Sequence, residues 1–400
     1  MSSVISNRVN ALSESQSLKM SQRCAQLRAE GYDVVGLTLG EPDAAPPVQI
    51  VEAVEKAMGE YAYSHYGPVA GMLSLRNAVC RKLQVENGLN YAPDEVVVTV
   101  GAKHAICNVI LSLVNPGDEV IIPMPYWVSY SEMVKLAEGT NVFVRTTADT
   151  GYKMSVEQLK EALTPKTKLL LLCSPNNPTG SVYTHDELAA IAEVLEQYPD
   201  VFVVSDEIYE HINYAGSHCS PASFPSVADR VVIINGVSKA YAMTGYRIGW
   251  MACHNREIVK ACLKLQGQSV THASMIAQCA AEAAYNGTEQ YVASLCKGFA
   301  ERKAVVMELL AQIPEVRCVE PDGAFYAFPD VSAYYGRSCK GVTVANSDDM
   351  VDYLLSEGHV ACVAGSAFGE DRCIRLSFAT DIPTIREGIA RIHRALLALK

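Results

Sequence analysis

From residue 95 onward, short apolar runs alternate with longer stretches whose apolar residues recur at helical spacing. The runs are Glu95–Val100, Glu119–Pro123, Val142–Thr146, Lys168–Cys173, Val201–Ser205, Arg230–Ile234 and Arg247–Cys253. Each is brief and nearly continuous in Val, Ile and Leu, the pattern of strands buried on both faces. Together they predict a mostly parallel seven-stranded sheet covered by helices, the large domain of a three-layer α/β protein. Upstream, Leu18–Glu30 carries a helical stripe through Leu18, Met20, Cys24, Ala25 and Leu27, and Gly31 can end it. A strand is predicted over Val34–Leu39, broken by Gly40-Glu-Pro-Asp43, then a helix over Val48–Met58 and an aromatic, glycine-containing loop over Tyr61–Gly71. Downstream, Arg256–Gln268 reads as a helix, and Glu289–Ile313 as a long helix leading out of the large domain. Short strands at Val316–Val319, Phe325–Phe328, Val360–Val363 and Cys373–Ser377 mix with helices at Asp348–Glu357 and Thr384–Leu397. Their loose order suggests a small α+β domain. The expected division is 1–45, an N-terminal arm and part of the small domain; 46–288, the large domain; and 289–400, the small domain.

The bulk properties narrow the function. A chain of 400 residues with 49% hydrophobic content can build a large core and more than one domain. A net charge of −11 disfavours a broad nucleic-acid or anionic-membrane surface. No apolar run approaches the roughly 20 residues of a membrane helix, and Met1–Arg8 lacks the apolar core of a secretory signal. Thirteen scattered cysteines, with no Cys-x-x-Cys, point to reduced thiols in a cytoplasmic protein rather than to disulfides or a metal site; most would be small buried hydrophobes.

In a parallel sheet, ligands sit beyond the carboxyl ends of the strands, so the residues just after each run carry the chemistry. After the first run, Gly101-Ala-Lys103 opens a helix, a cradle of free N–H groups for an anion. There is no Gly-x-Gly-x-x-Gly and no Gly-x4-Gly-Lys-Ser/Thr, which disfavours dinucleotides and P-loop nucleotides. Trp127 follows the second run; it can stack on a flat ring or fill core space. Ser174–Gly180, after the fourth, is a rigid polar turn able to aim an amide inward. Asp206, after the fifth, is poorly solvated without a partner. Lys239, after the sixth, sits where burial lowers an ammonium pKa and frees the amine to attack a carbonyl. Arg247 suits a phosphate. The plain alternative is a surface lysine, and an arginine paired to some carboxylate. Taken together, the strand ends offer what pyridoxal 5′-phosphate (PLP) requires: phosphate donors, a stacking face, a partner for the phenolic oxygen, an anion for the ring nitrogen and a lysine for the aldehyde. Arg375, mid-strand in Cys373–Ser377, faces either water or a cleft; in a cleft it would fork onto a carboxylate.

Ser174–Gly180, Ser205–Tyr209, Ser238-Lys239 with Arg247, Gly323–Tyr326 and Ile374–Ser377 resemble the fold type I, class I PLP-dependent aminotransferases, in motif order from about Arg8 to the C-terminus. Leu39–Asp43, Gly101–Lys103, Pro125–Tyr130 and Ala242–Arg247 resemble the bacterial-type Ib aspartate aminotransferases within them. The resemblance implies that Lys239 forms the Schiff base with PLP and acts as the base on Cα. Asp206 would pair with the ring nitrogen, and Asn177 and Tyr209 would bind the phenolic oxygen. Trp127 would stack on the ring and border the substrate. Gly101, Ala102, Lys103, Ser238 and Arg247 would hold the phosphate. Tyr66 would reach the phosphate of the other subunit, which implies a homodimer with shared active sites. Arg375 would bind the substrate α-carboxylate, with Asn177 and Gly40 beside it. Two departures stand out: Gly236 occupies a position where the family often has a phosphate-binding serine, and the arginine that reads the distal carboxylate in the Ia branch has no match. In Ib members a lysine appropriate to Lys103 takes that task, with a hydroxyl from the N-terminal arm, here Ser17. Ser13 stands where prephenate-using members carry a lysine, which leans against prephenate.

The function implied is ping-pong transfer from L-aspartate to 2-oxoglutarate. An aromatic, kynurenine or broad-range aminotransferase is the alternative, for which the tyrosine-rich loop 61–66 leaves room. A PLP-binding regulator would need an added DNA-binding module, and no basic N-terminal segment is present. A PLP lyase or synthase on the same fold would turn over without a keto-acid acceptor.

Overall fold

The computed structural model of the protein describes residues 4–13 and 16–400, side chains included except at 16–19 and 21. Each predicted run of the large domain forms a strand. After a short β1 (Val35–Gly36) come β2 (Val96–Thr99), β3 (Glu119–Met124), β4 (Thr140–Arg145), β5 (Thr167–Cys173), β6 (Phe202–Asp206), β7 (Val231–Gly236) and β8 (Gly249–Ala252). Strands β2 to β8 make one seven-stranded sheet in the order β2-β8-β7-β6-β5-β3-β4. Only β8 runs against its neighbours. The link from β7 to β8 carries only a 3-10 turn at Thr244–Tyr246, with no crossover helix to bring the chain back parallel.

The continuous apolar runs are explained by burial on both faces. Leu169 and Leu171 of β5 pack in one core with Ile106, Val109, Met133 and Ile258, while Leu170 and Leu172 pack in another with Val79, Leu188, Ile191 and Ala280. Successive strand residues point to opposite faces, so a strand with helices on both sides has no polar face. Helix starts follow their caps: Thr184 and Glu187 form a capping box before His185–Glu196, and Asn255 caps Arg256–Ser269.

A third core unites the two ends of the chain. Leu37 lies in it with Phe299, Val306 and Leu310 of the helix Glu289–Leu310, and with Ile385, Ile389 and Ile392 of the helix Ile382–Ala398. Beyond β8 the strands are β9 (Tyr326–Ala327), the hairpin β10 (Ser338–Cys339) and β11 (Val342–Thr343), then β12 (Val360–Ala361), β13 (Val363–Ala364) and β14 (Ile374–Ser377). β1 pairs in parallel with β12, and β13-β14-β9 form a small antiparallel sheet. The same core takes in Ile208, Tyr209 and Ile212, just past β6, and so abuts the carboxyl end of the large sheet.

Two expectations need correction. Val316–Val319 is not a strand: it touches its neighbour only at the isolated bridge Arg317–Asp330, between Pro314 and Pro321, which have no N–H to extend a ladder. The strand over Val34–Leu39 shrinks to two residues paired with β12: past Gly36 the Leu37 carbonyl accepts from the Ser377 N–H of β14 instead of extending that ladder, and Leu39 turns outward, 56% exposed. Among the described residues no helix is long and apolar enough to cross a membrane.

Candidate active site

A cleft of about 530 Å³ opens at the carboxyl ends of the parallel strands, where they meet the third core. It gathers Gly40, Ala102, Lys103, Trp127, Asn177, Asp206, Tyr209, Ser238, Lys239, Arg247 and Arg375 from segments far apart in the chain. A larger cavity of about 700 Å³, between Glu210–His218 and the start of the helix Glu289–Leu310, contains none of them.

Asp206 ends β6, in the middle of the sheet, paired with Cys173 and Ile234 and 4% exposed. Burial pushes its carboxyl up to about 6; the Tyr130 hydroxyl, donating to Oδ2 at 2.6 Å, and the Ile208 N–H, donating to Oδ1 at 3.2 Å, hold it down against that. Lys239 follows β7, and its Nζ donates to the Gly40 carbonyl. Burial draws this amine down to about 8, helped by Arg375 and Arg247 and opposed by Glu41 and Asp206. The cleft therefore holds an amine and a carboxyl whose pKa values have moved toward each other, as active sites do.

The helix Ala102–Leu113 begins at the cleft. Its first capping bonds to Gly101 come from His104 and Ala105, so the N–H groups of Ala102 and Lys103 point onward. Gly101 is needed there: its φ is +81°, and a Cβ would lie 2.4 Å from Arg247 Nη2. Gly249 is needed too, since a Cβ on that strand would lie 2.2 Å from the Ala102 nitrogen. Gly236 explains the missing serine: any Cβ there would meet Gly249 Cα and the Ile248 oxygen at 2.7 Å. Arg247 is anchored through Nη1 to the Thr244 carbonyl at 2.8 Å.

Arg375 faces the cleft rather than water. It is buried, with Nη1 donating to Asn177 Oδ1 at 3.0 Å and Nη2 to the Thr38 carbonyl at 2.8 Å, while Nε has no partner. Tyr326 and Phe368 flank its guanidinium, 4.5 and 4.9 Å from the ring centroids. The turn after β5 supplies Asn177: Asn176 closes it by accepting from Gly180 and donating to the Ser181 carbonyl, both at 2.9 Å, which leaves the Asn177 amide facing Arg375. Trp127 lies in the wall with Lys103 Nζ 4.8 Å from its ring centroid; burial, then Arg247, lowers the Lys103 pKa.

Other expectations fall outside the cleft. Tyr66 is 91% exposed, edge-on to His272 with centroids 5.9 Å apart. Gly101 supports the cleft from behind Arg247 without lining it. The Ser17 side chain lies outside the described residues, and the Ser13 N–H donates to Glu132 Oε2 at 2.8 Å. Sequence reasoning missed Tyr130 and Tyr326 as contacts of the site, although both stood in quoted motifs. Tyr326 shares a hydrogen bond of 2.8 Å with the Tyr209 hydroxyl, and a Cβ at Gly40 would come within 2.6 Å of the Tyr326 oxygen. It also missed the Thr244 hydroxyl donating to Glu41 at 2.7 Å across the mouth. Nothing short-range in the chain signals a contact 203 residues apart.

Residues 32–392 match the family model for aminotransferase class I and II. A protein of Petunia hybrida named bifunctional aspartate aminotransferase and glutamate/aspartate-prephenate aminotransferase is 44% identical over 99% of this chain and 83% of its own length. The aspartate aminotransferase of Geobacillus stearothermophilus is 43% identical over 98% of this chain and 99% of its own. Among solved structures, the aspartate aminotransferase of Rhizobium meliloti superposes with a TM-score of 0.95 at 37% identity, covering 99% of each chain. That of Thermus thermophilus with maleate superposes at 0.92 and 37% identity, covering 98% of this chain and 100% of its own.

Proposed function

The chain belongs to the class I and II aminotransferases, and from that premise we propose that it transfers the amino group of L-aspartate to 2-oxoglutarate in a ping-pong cycle with PLP as cofactor. The residues present fit this cofactor. Asp206 is a buried carboxyl whose neighbours hold it toward the anion, Lys239 is a buried amine held down to about 8, and free N–H groups at Ala102 and Lys103 converge with Arg247 on one end of the cleft.

Bound PLP supplies an electron-poor ring that takes up the electron pair freed when a proton leaves the Cα of an amino acid. Asp206 keeps a proton on the ring nitrogen. Lys239 carries the cofactor and then accepts the Cα proton at Nζ, a task suited to an amine near pH 8 rather than 10.5. Tyr209 and Asn177 hold the phenolic oxygen, and Trp127 covers the ring. The backbone N–H groups of Ala102 and Lys103, with Ser238 and Arg247, would hold the phosphate, which leaves the Lys103 ammonium free for the substrate. Arg375 takes the α-carboxylate, with Asn177 and Gly40 beside it, and closure of the small domain on substrate excludes water. The division into 1–45, 46–288 and 289–400 is supported by the third core, which joins Leu37 to the helices Glu289–Leu310 and Ile382–Ala398 and takes in only a few large-domain residues past β6. In the reading adopted here the enzyme is a cytoplasmic homodimer, in which the exposed Tyr66 completes the partner's phosphate site.

The observation that carries a dicarboxylate substrate is the pair Arg375 and Lys103, two cations lining one cleft besides the lysine and arginine that serve the cofactor. The Thermus thermophilus relative was solved with maleate, itself a dicarboxylate. Lys103→Ala is expected to lower kcat/KM for aspartate by roughly 30-fold or more, the loss of one close charge partner, while alanine turnover stays within about threefold. Equal losses for both substrates would remove Lys103 as the reader of the distal carboxylate. Absorbance of the PLP-loaded enzyme tests the whole reading. Aspartate is expected to discharge the cofactor's visible band far faster than tyrosine; a response to tyrosine alone would make it an aromatic aminotransferase.

A further inference from the structure

Tyr130 is a buried ionisable group of the cleft that these roles leave unused. It sits in the first turn of the helix Ser129–Leu136, 2% exposed, and lines the cleft floor beside Asp206. Its hydroxyl donates to Asp206 Oδ2 at 2.6 Å, the shortest contact that carboxylate makes among the described residues. We propose that Tyr130 is the positioning residue that holds Asp206 as an oriented anion for the ring nitrogen of the cofactor. The inference rests on Asp206 as the ring-nitrogen partner and names what keeps it in that state.

The geometry allows one direction of donation. Burial and the adjacent Asp206 push the Tyr130 phenol far above its ordinary range, so it keeps its proton and can only give it to the carboxylate. A charge-assisted O–H···O⁻ bond of this length is of the stronger kind. The two donors are divided, one per oxygen, with Ile208 N–H on Oδ1 and Tyr130 on Oδ2, which fixes the plane of the carboxylate. The other groups facing Asp206 are Cys173 at the end of β5, Glu207 beside it, and Lys239 beyond β7; Glu207 raises its pKa, Lys239 lowers it, and the Cys173 thiol stays protonated because burial pushes it up. Among side chains, the Tyr130 bond is the largest influence favouring the anion.

Equilibrium binding of PLP to the apoenzyme, measured on both sides of pH 6, tests this without relying on turnover. In the wild type, affinity should fall as the pH drops through about 6, where Asp206 takes up a proton. In Tyr130→Phe the Asp206 pKa rises further, so the fall should come about one pH unit higher, with affinity roughly tenfold weaker just above the wild-type midpoint. On an Asp206→Asn background, Tyr130→Phe should add nothing. If Asp206→Asn weakens PLP binding but Tyr130→Phe moves neither affinity nor midpoint, this inference is overturned while the site reading stands. If Asp206→Asn leaves PLP binding unchanged, the ring-nitrogen reading itself fails. Should Tyr130→Phe not fold, 3-fluorotyrosine placed at position 130 alone keeps the packing and strengthens the donor. The midpoint must then move to lower pH, and a fixed midpoint would overturn the proposal equally.

Discussion

Lys239→Ala is expected to lower turnover by roughly four orders of magnitude, the upper range for removing a positioned base, while the chain stays folded. The second half of this expectation follows from two opposed quantities. Burial holds the Lys239 amine at about 8 instead of 10.5, so at neutral pH the apoenzyme bears a cost of about 3 kcal/mol for keeping that ammonium inside. Alanine removes the cost but also the packing of the side-chain methylenes, worth about 0.8 kcal/mol each. The two nearly cancel at pH 7, and the apoenzyme melting temperatures should agree within about 5 °C. The sign changes with pH. Between 8 and 10.5 the unfolded chain binds more protons at this lysine than the folded one, so the wild type gains stability as pH rises and alanine does not. Thermal melts of both apoenzymes across that interval should show the variant falling progressively behind. A parallel pair of curves would mean that Lys239 is not held in a desolvated site, and substantial residual transamination would remove it as the base.

Arg375→Ala is the second large effect. The guanidinium is buried, shares Asn177 and the Thr38 carbonyl as acceptors, and keeps Nε unpartnered. Removing a buried cation that pairs with a substrate carboxylate costs about 3–4 kcal/mol, so kcat/KM should fall by a few hundredfold or more. The loss should be the same for aspartate, alanine and tyrosine, because every amino acid presents the same α-carboxylate. That uniformity separates it from Lys103→Ala, whose effect is confined to acidic side chains. Arg375→Lys should recover little: a lysine is a point charge without the fork that spans two carboxylate oxygens. A loss limited to aspartate would assign Arg375 to the distal carboxylate instead and reverse the orientation of substrate in the cleft.

Much of the candidate site was legible because its side chains stand just after strands. Apolar runs such as Leu169–Leu172 mark strands buried on both faces, and in a parallel sheet the residues following them converge on one edge. The residues following these runs include Trp127, Asp206 and Lys239, and the polar turn 174–180; the resemblance picks Asn177 from that turn, and all four residues line one cleft. From strand position alone Arg375 has two possible faces, and although the resemblance points it to the substrate carboxylate, only tertiary packing turns it into the cleft. Val316–Val319 failed as a strand for the related reason that an apolar run needs a partner along its length, which the sequence does not reveal.

By itself the sequence determined most of the order of strands and helices and the layered α/β class, and it placed the candidate residues that line the cleft. Those properties rest on local periodicity, on turn chemistry and on short motifs. The tertiary structure alone decided that β8 runs antiparallel and lets Ala102 approach across Gly249, that Gly40 lies over Lys239, and that Tyr130 stands behind Asp206. Each of these is a contact between segments distant in the chain, made only when burial of the apolar faces brings them together, and it is burial that gives Lys239 and Asp206 their shifted pKa values.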